Sequence, residues 1–256
     1  MCIYVIYLYK GVFCSNIRYK YHKIDAKPTI LFLHGWGGNE NSFDIAYNNL
    51  YQNFSLLSIN LSDLTTNYLD KSLTMHDYVL AVLRILKKHN ICNCHIVCHS
   101  FGFRVALILA RDSDIHIDSM IIIDGAGIKC QSVITKFKIL KYKILKKLVK
   151  AKLLPSRFIA NRGSNDYNIL NDRDKITFCN IVNYDLKDCV KYIDCDTTII
   201  WGKYDRDTCV KCAKYIHKNI ENSRLIIYNA GHFSYIENQI EFIMDIDAHF
   251  SKYLII

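Results

Sequence analysis

The chain has 256 residues, with 33 Lys and Arg against 24 Asp and Glu, for a net charge of +9. A chain this long suits one large domain that buries enough surface to fold without staples, and 51% hydrophobic with 22% charged residues excludes a disordered or low-complexity chain. The charge excess is local: Lys136 to Lys152 holds eight lysines and no acid, while the remainder is almost balanced, so no general nucleic-acid-binding surface is indicated.

In chain order, Met1 to Tyr9 is apolar but short, without a basic leader or a small-residue cleavage site, and reads as a first strand. Thr29–Leu33, Leu56–Ile59, His95–Cys98, Met120–Ile123, Thr198–Trp201 and Leu225–Tyr228 are brief apolar runs bounded by turn or polar residues. Such runs suit strands buried on both faces of a parallel sheet. Between them lie helical patterns. Thr74 with Asp77 forms a capping signature opening a helix with Tyr78, Val82, Ile85 and Leu86 on one side. Phe103 to Arg111 and Ile236 to Tyr253 are two more. The alternation predicts an α/β fold with a mostly parallel central sheet and helices on both faces. It breaks between about 129 and 186, where a lysine-rich helical stretch and a polar stretch are too long for an ordinary connection. That segment is expected to be an inserted helical lid within one 1–256 domain. No apolar stretch reaches the ~20 uncharged residues of a membrane span.

The eleven cysteines are odd in number, and the chain shows no secretory leader, so reduced thiols in a cytoplasmic protein are expected. A structural zinc would need the pair Cys92 and Cys94 to meet Cys209-Val-Lys-Cys212. The two pairs belong to different predicted units, and no metal is expected.

The chemistry centres on Cys98-His-Ser-Phe-Gly102, directly after one strand and directly before a helix. A serine at such a tight corner has its hydroxyl pushed out over the sheet edge, and the residues two before and two after it must be small. Gly102 meets that rule fully and Cys98 approximately. Attack by Ser100 on a carbonyl leaves negative charge on oxygen, which needs two donors. The Phe101 backbone N–H at the helix start is one. The Gly-rich turn Leu33-His-Gly-Trp-Gly-Gly38, after the Thr29 strand, offers the Trp36 N–H as the other. A base and an acid are expected at the ends of later strands. Asn229-Ala-Gly-His-Phe233 places His232 as the base, and Trp201-Gly-Lys-Tyr-Asp205 places Asp205 as the acid. Asp124, which ends the Met120 strand, and Asp207 remain alternatives for the acid.

Taken together, H-G-W-G-G, H-S-F-G, W-G-x-x-D and A-G-H-F-S-Y-x-E resemble the α/β-hydrolase superfamily over nearly the whole chain, most closely its bacterial lidded carboxylesterase-type serine hydrolases. Ala126-Gly-Ile-Lys129, the Lys136–Lys152 helix and Gly163-Ser-Asn-Asp-Tyr167 match their lid. The resemblance implies hydrolysis of carboxylic esters or thioesters through an acyl-enzyme, without a cofactor. It also implies that His34, Gly35, His99 and Phe233, which belong to these motifs, meet the substrate. The pattern departs at Cys98, at Phe103 in place of a second glycine, and at Asn60-Leu-Ser-Asp-Leu64. The Lys136–Lys152 segment offers a dock for an acidic acyl-carrier protein, although a solvated face or an anionic membrane surface would read the same way. A carbon–carbon bond hydrolase with the same residue order and a non-catalytic ligand-binding homologue are the alternative functions.

Overall fold

The computed structural model describes residues 17–67, 72–129 and 172–254, with isolated positions at 145, 147, 149, 151 and 155. Seven strands form one sheet: β1 (Tyr19–His22), β2 (Thr29–Leu33), β3 (Ser55–Ile59), β4 (Asn93–His99), β5 (His116–Ile123), β6 (Asp196–Gly202) and β7 (Ser223–Tyr228). Their order is β1-β3-β2-β4-β5-β6-β7. β1 is antiparallel to β3 and every other neighbouring pair is parallel.

Side chains alternate along the buried strands, so each strand feeds two cores. Leu31, Leu33, Ile96 and Cys98 face one core, shared with α3 (Met75–Lys88), α4 (Phe101–Asp112) and α6 (Val210–Asn219). Ile30, Phe32 and Val97 face the other, shared with α1 (Asp44–Leu50) and α7 (Gln239–Phe250). The helices α2 (Ser62–Asn67) and α5 (Asp172–Asn183) are also among the described elements. The sheet is therefore covered on both faces, and the α/β architecture with its mostly parallel sheet is as the sequence predicts.

Several local features follow from single residues. Asp77 accepts hydrogen bonds from the Thr74 N–H and hydroxyl at 2.8 and 2.7 Å, capping α3 as expected. The predicted Ile236–Tyr253 helix is broken at Asn238, whose φ of −127° and ψ of 61° are not helical. A single α-helical turn at Ser234–Glu237 precedes it, and α7 follows. β1 was not foreseen, because each of its four residues is only half-buried and the run has no apolar signature. Beneath the sheet, His95, Ser119, His249 and Thr198 form a buried chain of hydrogen bonds at 2.8, 2.8 and 2.9 Å.

The strand expected at Met1–Tyr9 lies outside the described residues. So does the basic Lys136–Lys152 segment, except at Leu145, Lys147, Val149 and Ala151, and with it the proposed carrier-protein dock. Of the lid expected at 129–186, α5 and the turns after it are described. Among the described cysteines the reduced-thiol expectation fails at one position: Cys92 is disulfide-bonded, while Cys94, Cys98, Cys179, Cys189, Cys195, Cys209 and Cys212 are thiols. No helix among the described residues is long and apolar enough to cross a membrane.

Candidate active site

The site lies at the C-terminal ends of the parallel strands. Ser100 is the single residue between β4 and α4, held at φ 46° and ψ −109°, a left-handed conformation that non-glycine residues avoid. Hydrogen bonds hold it there: its N–H donates to Ile123 O and its carbonyl accepts from Ala126 N–H, both at 3.0 Å. The corner is so close to β2 that a Cβ on Gly102 would sit 1.9 Å from Leu33 O, which explains the glycine. Cys98 occupies the other small position without a clash. It is fully buried and its thiol donates to Ile121 O at 3.5 Å, away from the serine hydroxyl.

Phe103, which stands in place of a second glycine, is accommodated by a glycine elsewhere. It is fully buried against Gly125, where a Cβ would lie 2.6 Å from its ring.

His232 follows β7 and its Nε2 lies 2.9 Å from Ser100 Oγ. Its Nδ1 lies 2.8 Å from Asp205 Oδ2. An ionised carboxylate only accepts, so the ring proton is on Nδ1 and Nε2 turns its lone pair to the serine. The loops after β6 and β7 run side by side, with Lys203 and Tyr204 N–H donating to Tyr228 and Ala230 O, each at 2.9 Å. A Cβ on Gly202 would lie 1.8 Å from Gly231 O, so this approach too depends on a glycine.

Asp205 is held by its own loop. Its Oδ1 accepts from Asp207 and Thr208 N–H at 2.8 and 2.9 Å, and its Oδ2 accepts the Thr208 hydroxyl at 2.6 Å. Burial pushes the Asp205 carboxyl up, but the bonds from His232 and Thr208 outweigh it and leave the group below its ordinary range. For His232 burial pushes down and Asp205 pushes up, with a net rise. Thr208 is a residue that the sequence reading missed, although it stands three positions after Asp205.

Asp124 takes a different place from the one its strand position suggested. Its oxygens accept from Gly202 N–H at 2.8 Å and from Ser234 N–H and hydroxyl at 3.1 and 2.6 Å. It braces the loop ends and makes none of the hydrogen bonds to the His232 ring. Among the described residues, Asp205, Asp207 and His232 are a group whose ligand atoms lie within 4.8 Å of one another. Asp205 and His232 are already hydrogen-bonded to each other, and Asp207 is exposed.

A cavity of about 520 Å³ opens beside Ser100 and His232. Its apolar wall includes Trp36, Phe101, Ile128, Phe178, Ile181 and Val182. Trp36 packs edge-on against Phe101 and Phe178, at ring distances of 5.5 and 5.3 Å. The three residues from α5 were not foreseen, because nothing local marks which face of that helix turns inward. Arg104 also lines the cavity and donates from Nη1 to Ile181 and Tyr184 O, both at 2.9 Å, fastening the end of α5 to α4.

The four residues expected against substrate do not line this cavity. His34 is buried, donates from Nδ1 to Gly35 O at 2.6 Å and accepts the Leu61 N–H on Nε2 at 2.8 Å. Both nitrogens are thus spent holding the Gly35–Gly38 turn to the loop after β3. Gly35 lies against His99, where a Cβ would be 2.5 Å from Nδ1. His99 is buried and donates from Nε2 to His232 O at 2.9 Å. Phe233 is 50% exposed and its ring lies 5.3 Å from that of His99. These contacts tie the Gly35–Gly38 turn and the His232 loop to their neighbours.

No protein-family model matches the sequence, and no curated protein is significantly similar to it. Solved structures are similar over nearly the full length. MenH from S. aureus is 18% identical and aligns over 93% of this chain and 99% of its own, with a TM-score of 0.66. An esterase from Exiguobacterium antarcticum is 18% identical, covering 92% and 95% of the two chains at a TM-score of 0.65. An α/β hydrolase enzyme from a Medee basin deep-sea metagenome library is 18% identical, covering 92% and 94% at 0.64. The sheet order, the serine corner after β4 and these likenesses agree: the chain has the α/β-hydrolase fold.

Proposed function

We propose that this chain is a serine hydrolase that cleaves carboxylic ester or thioester bonds through an acyl-enzyme intermediate. The observation that carries the reading is the unbroken hydrogen-bonded line from Ser100 Oγ to His232 Nε2 at 2.9 Å and from His232 Nδ1 to Asp205 Oδ2 at 2.8 Å. It opens on a largely apolar cavity. In this mechanism His232 accepts the serine proton as Oγ attacks the acyl carbon, and Asp205 stabilises the imidazolium that forms. His232 next protonates the leaving group, then takes a proton from the water that releases the acid. The Phe101 and Trp36 backbone N–H groups are the proposed oxyanion donors, each worth roughly 3 kcal/mol in the transition state. The tie from His34 to Leu61 supports the Trp36 role, because it fixes the turn that carries this donor.

Residues 129–186 act as the lid in this reading, with α5 as its inner wall and Arg104 as its fastening. The apolar wall suits a hydrocarbon acyl group of modest size. A fluorophosphonate probe tests the nucleophile directly, because it phosphonylates a serine only where a base activates it. Mass mapping of the adduct to Ser100, and its loss in His232→Ala, is the expected result. A failure of wild-type protein to label would overturn the reading.

A further inference from the structure

The Cys209-Val-Lys-Cys212 pair, excluded above as half of a zinc site, sits in the wall of the Ser100 cavity. Cys209 is the exposed N-cap of the ten-residue helix α6, and Cys212, one turn along, is 4% exposed. Positions i and i+3 share a helix face, and the two Sγ atoms lie 3.7 Å apart. A disulfide needs about 2.05 Å, a closure within reach of rotating the exposed Cys209 side chain while Cys212 stays seated. Two other described thiols, Cys94 and Cys98, are poorly placed for such chemistry. Cys94 and Cys98 are completely buried in β4, and burial pushes their thiols up, that of Cys94 to about 12.

We propose that Cys209 and Cys212 form a thiol–disulfide exchange site in the cavity wall, oxidised by small disulfides to an intramolecular Cys209–Cys212 disulfide that alters the hold on Asp205. The accessible Cys209 thiolate attacks the small disulfide, forming a mixed disulfide and releasing one small thiol, which takes up a proton. The Cys212 thiolate then attacks the Cys209 sulfur and displaces the second small thiol. Two S–H bonds are replaced by one S–S bond, and the two electrons pass to the small disulfide, which leaves as two thiols.

The coupling runs through the residue before Cys209. Thr208 gives Asp205 two hydrogen bonds, at 2.9 and 2.6 Å, and its carbonyl accepts the Trp201 indole N–H at 2.9 Å. Cys212 donates to Ile128 O, in the same cavity wall, at 3.4 Å, and the disulfide has no proton with which to do so. Oxidation thus pulls on the Asp205 loop at one point and releases the wall at another. The effect on turnover rests on the hydrolase reading, whereas the exchange chemistry does not.

The test equilibrates the full chain in mixtures of glutathione and glutathione disulfide, then reads three quantities. The expected results are a Cys209–Cys212 linked peptide lacking two hydrogens, a change in tryptophan emission, and a change in the rate of fluorophosphonate labelling of about fivefold, the lower end of coupling between sites. Dithiothreitol reverses all three. In Cys209→Ala, and in Cys212→Ser if that variant fails to fold, emission and labelling are the same in both mixtures. That control also separates the effect from reduction of the Cys92 disulfide. A Cys209 that remains unreacted or stays as a mixed disulfide would overturn the proposal, as would emission that does not differ between the two forms. If neither form labels, the serine-hydrolase reading falls, and the linked peptide and the emission still decide this one.

Discussion

Ser234 donates both its backbone N–H and its hydroxyl to one oxygen of Asp124, at 3.1 and 2.6 Å. The other oxygen accepts the Gly202 N–H at 2.8 Å. One buried carboxyl thus ties the end of β5 to the end of β6 and to the turn that follows His232. Burial pushes this group up to about 7.

The pair Asp124→Asn and Asp205→Asn separates bracing from catalysis. An amide nitrogen cannot accept, so Asp124→Asn loses part of this set and lowers stability by about 2 kcal/mol. Asp205→Asn is expected to keep the fold and lower kcat by roughly 10⁴, because His232 is held in the wrong tautomer. Urea unfolding and kcat on the two variants make the comparison. A larger loss of kcat in a well-folded Asp124→Asn would make Asp124 the acid instead.

His99 is the second brace. Burial holds its ring at about 3, so it is neutral and donates steadily to the His232 carbonyl. His99→Phe removes that donor and lets the His232 loop move. We expect kcat to fall by roughly 10- to 100-fold, the cost of misplacing a catalytic group by up to about 1 Å. KM and the pH midpoint should change little, since His99 does not line the cavity. A KM effect without a kcat effect would return His99 to the substrate surface.

The proposed mechanism gives its pH dependence a definite sign. His232 works as a base only when neutral, and its folded-state value is raised above 6.5 because Asp205 outweighs burial. The rate kcat/KM should therefore rise with pH through an apparent midpoint above 6.5 and then level off. The same rise means that the Asp205–His232 ion pair contributes stability below 6.5, and that this contribution is lost as pH climbs through the raised value. A pH–rate profile with its midpoint below 6.5 would contradict the electrostatics of the pair.

The buried chain under the sheet has the opposite sign. Burial holds His95 and His249 at about 4, against an ordinary 6.5, so both are neutral in the folded protein. The unfolded chain takes up these protons first as pH falls. Stability is thus lost between about 6.5 and about 4, and levels off below that window for these two groups. Denaturant midpoints measured across the window check this, and an unchanged or rising midpoint would rule it out.

The sequence made the inner strands legible because burial on both faces forces continuous apolar runs, as in Thr29–Leu33, which is buried at every position. β1 stayed hidden for the converse reason: an edge strand with four half-buried residues has no such run. Ser100, Asp205 and His232, which the structure brings into hydrogen-bonding distance, lie one, three and four residues past the ends of β4, β6 and β7, where the backbone decides the position. The hydrogen-bond partners of His34 and His99 were not legible. Sequence position put both at the sheet edge, but whether an imidazole turns toward a ligand or toward a neighbouring carbonyl depends on contacts as distant as Leu61 and His232. The α5 wall was hidden likewise, because Arg104 reaches Ile181 across 77 positions of sequence.

The most direct test of the account is hydrolysis of p-nitrophenyl esters, from acetate to long acyl chains, by wild type and Ser100→Ala. The account predicts turnover that depends on chain length and falls by about 10⁶ in kcat when the serine is lost. Turnover that survives in Ser100→Ala would contradict it, because the nucleophile would then lie elsewhere.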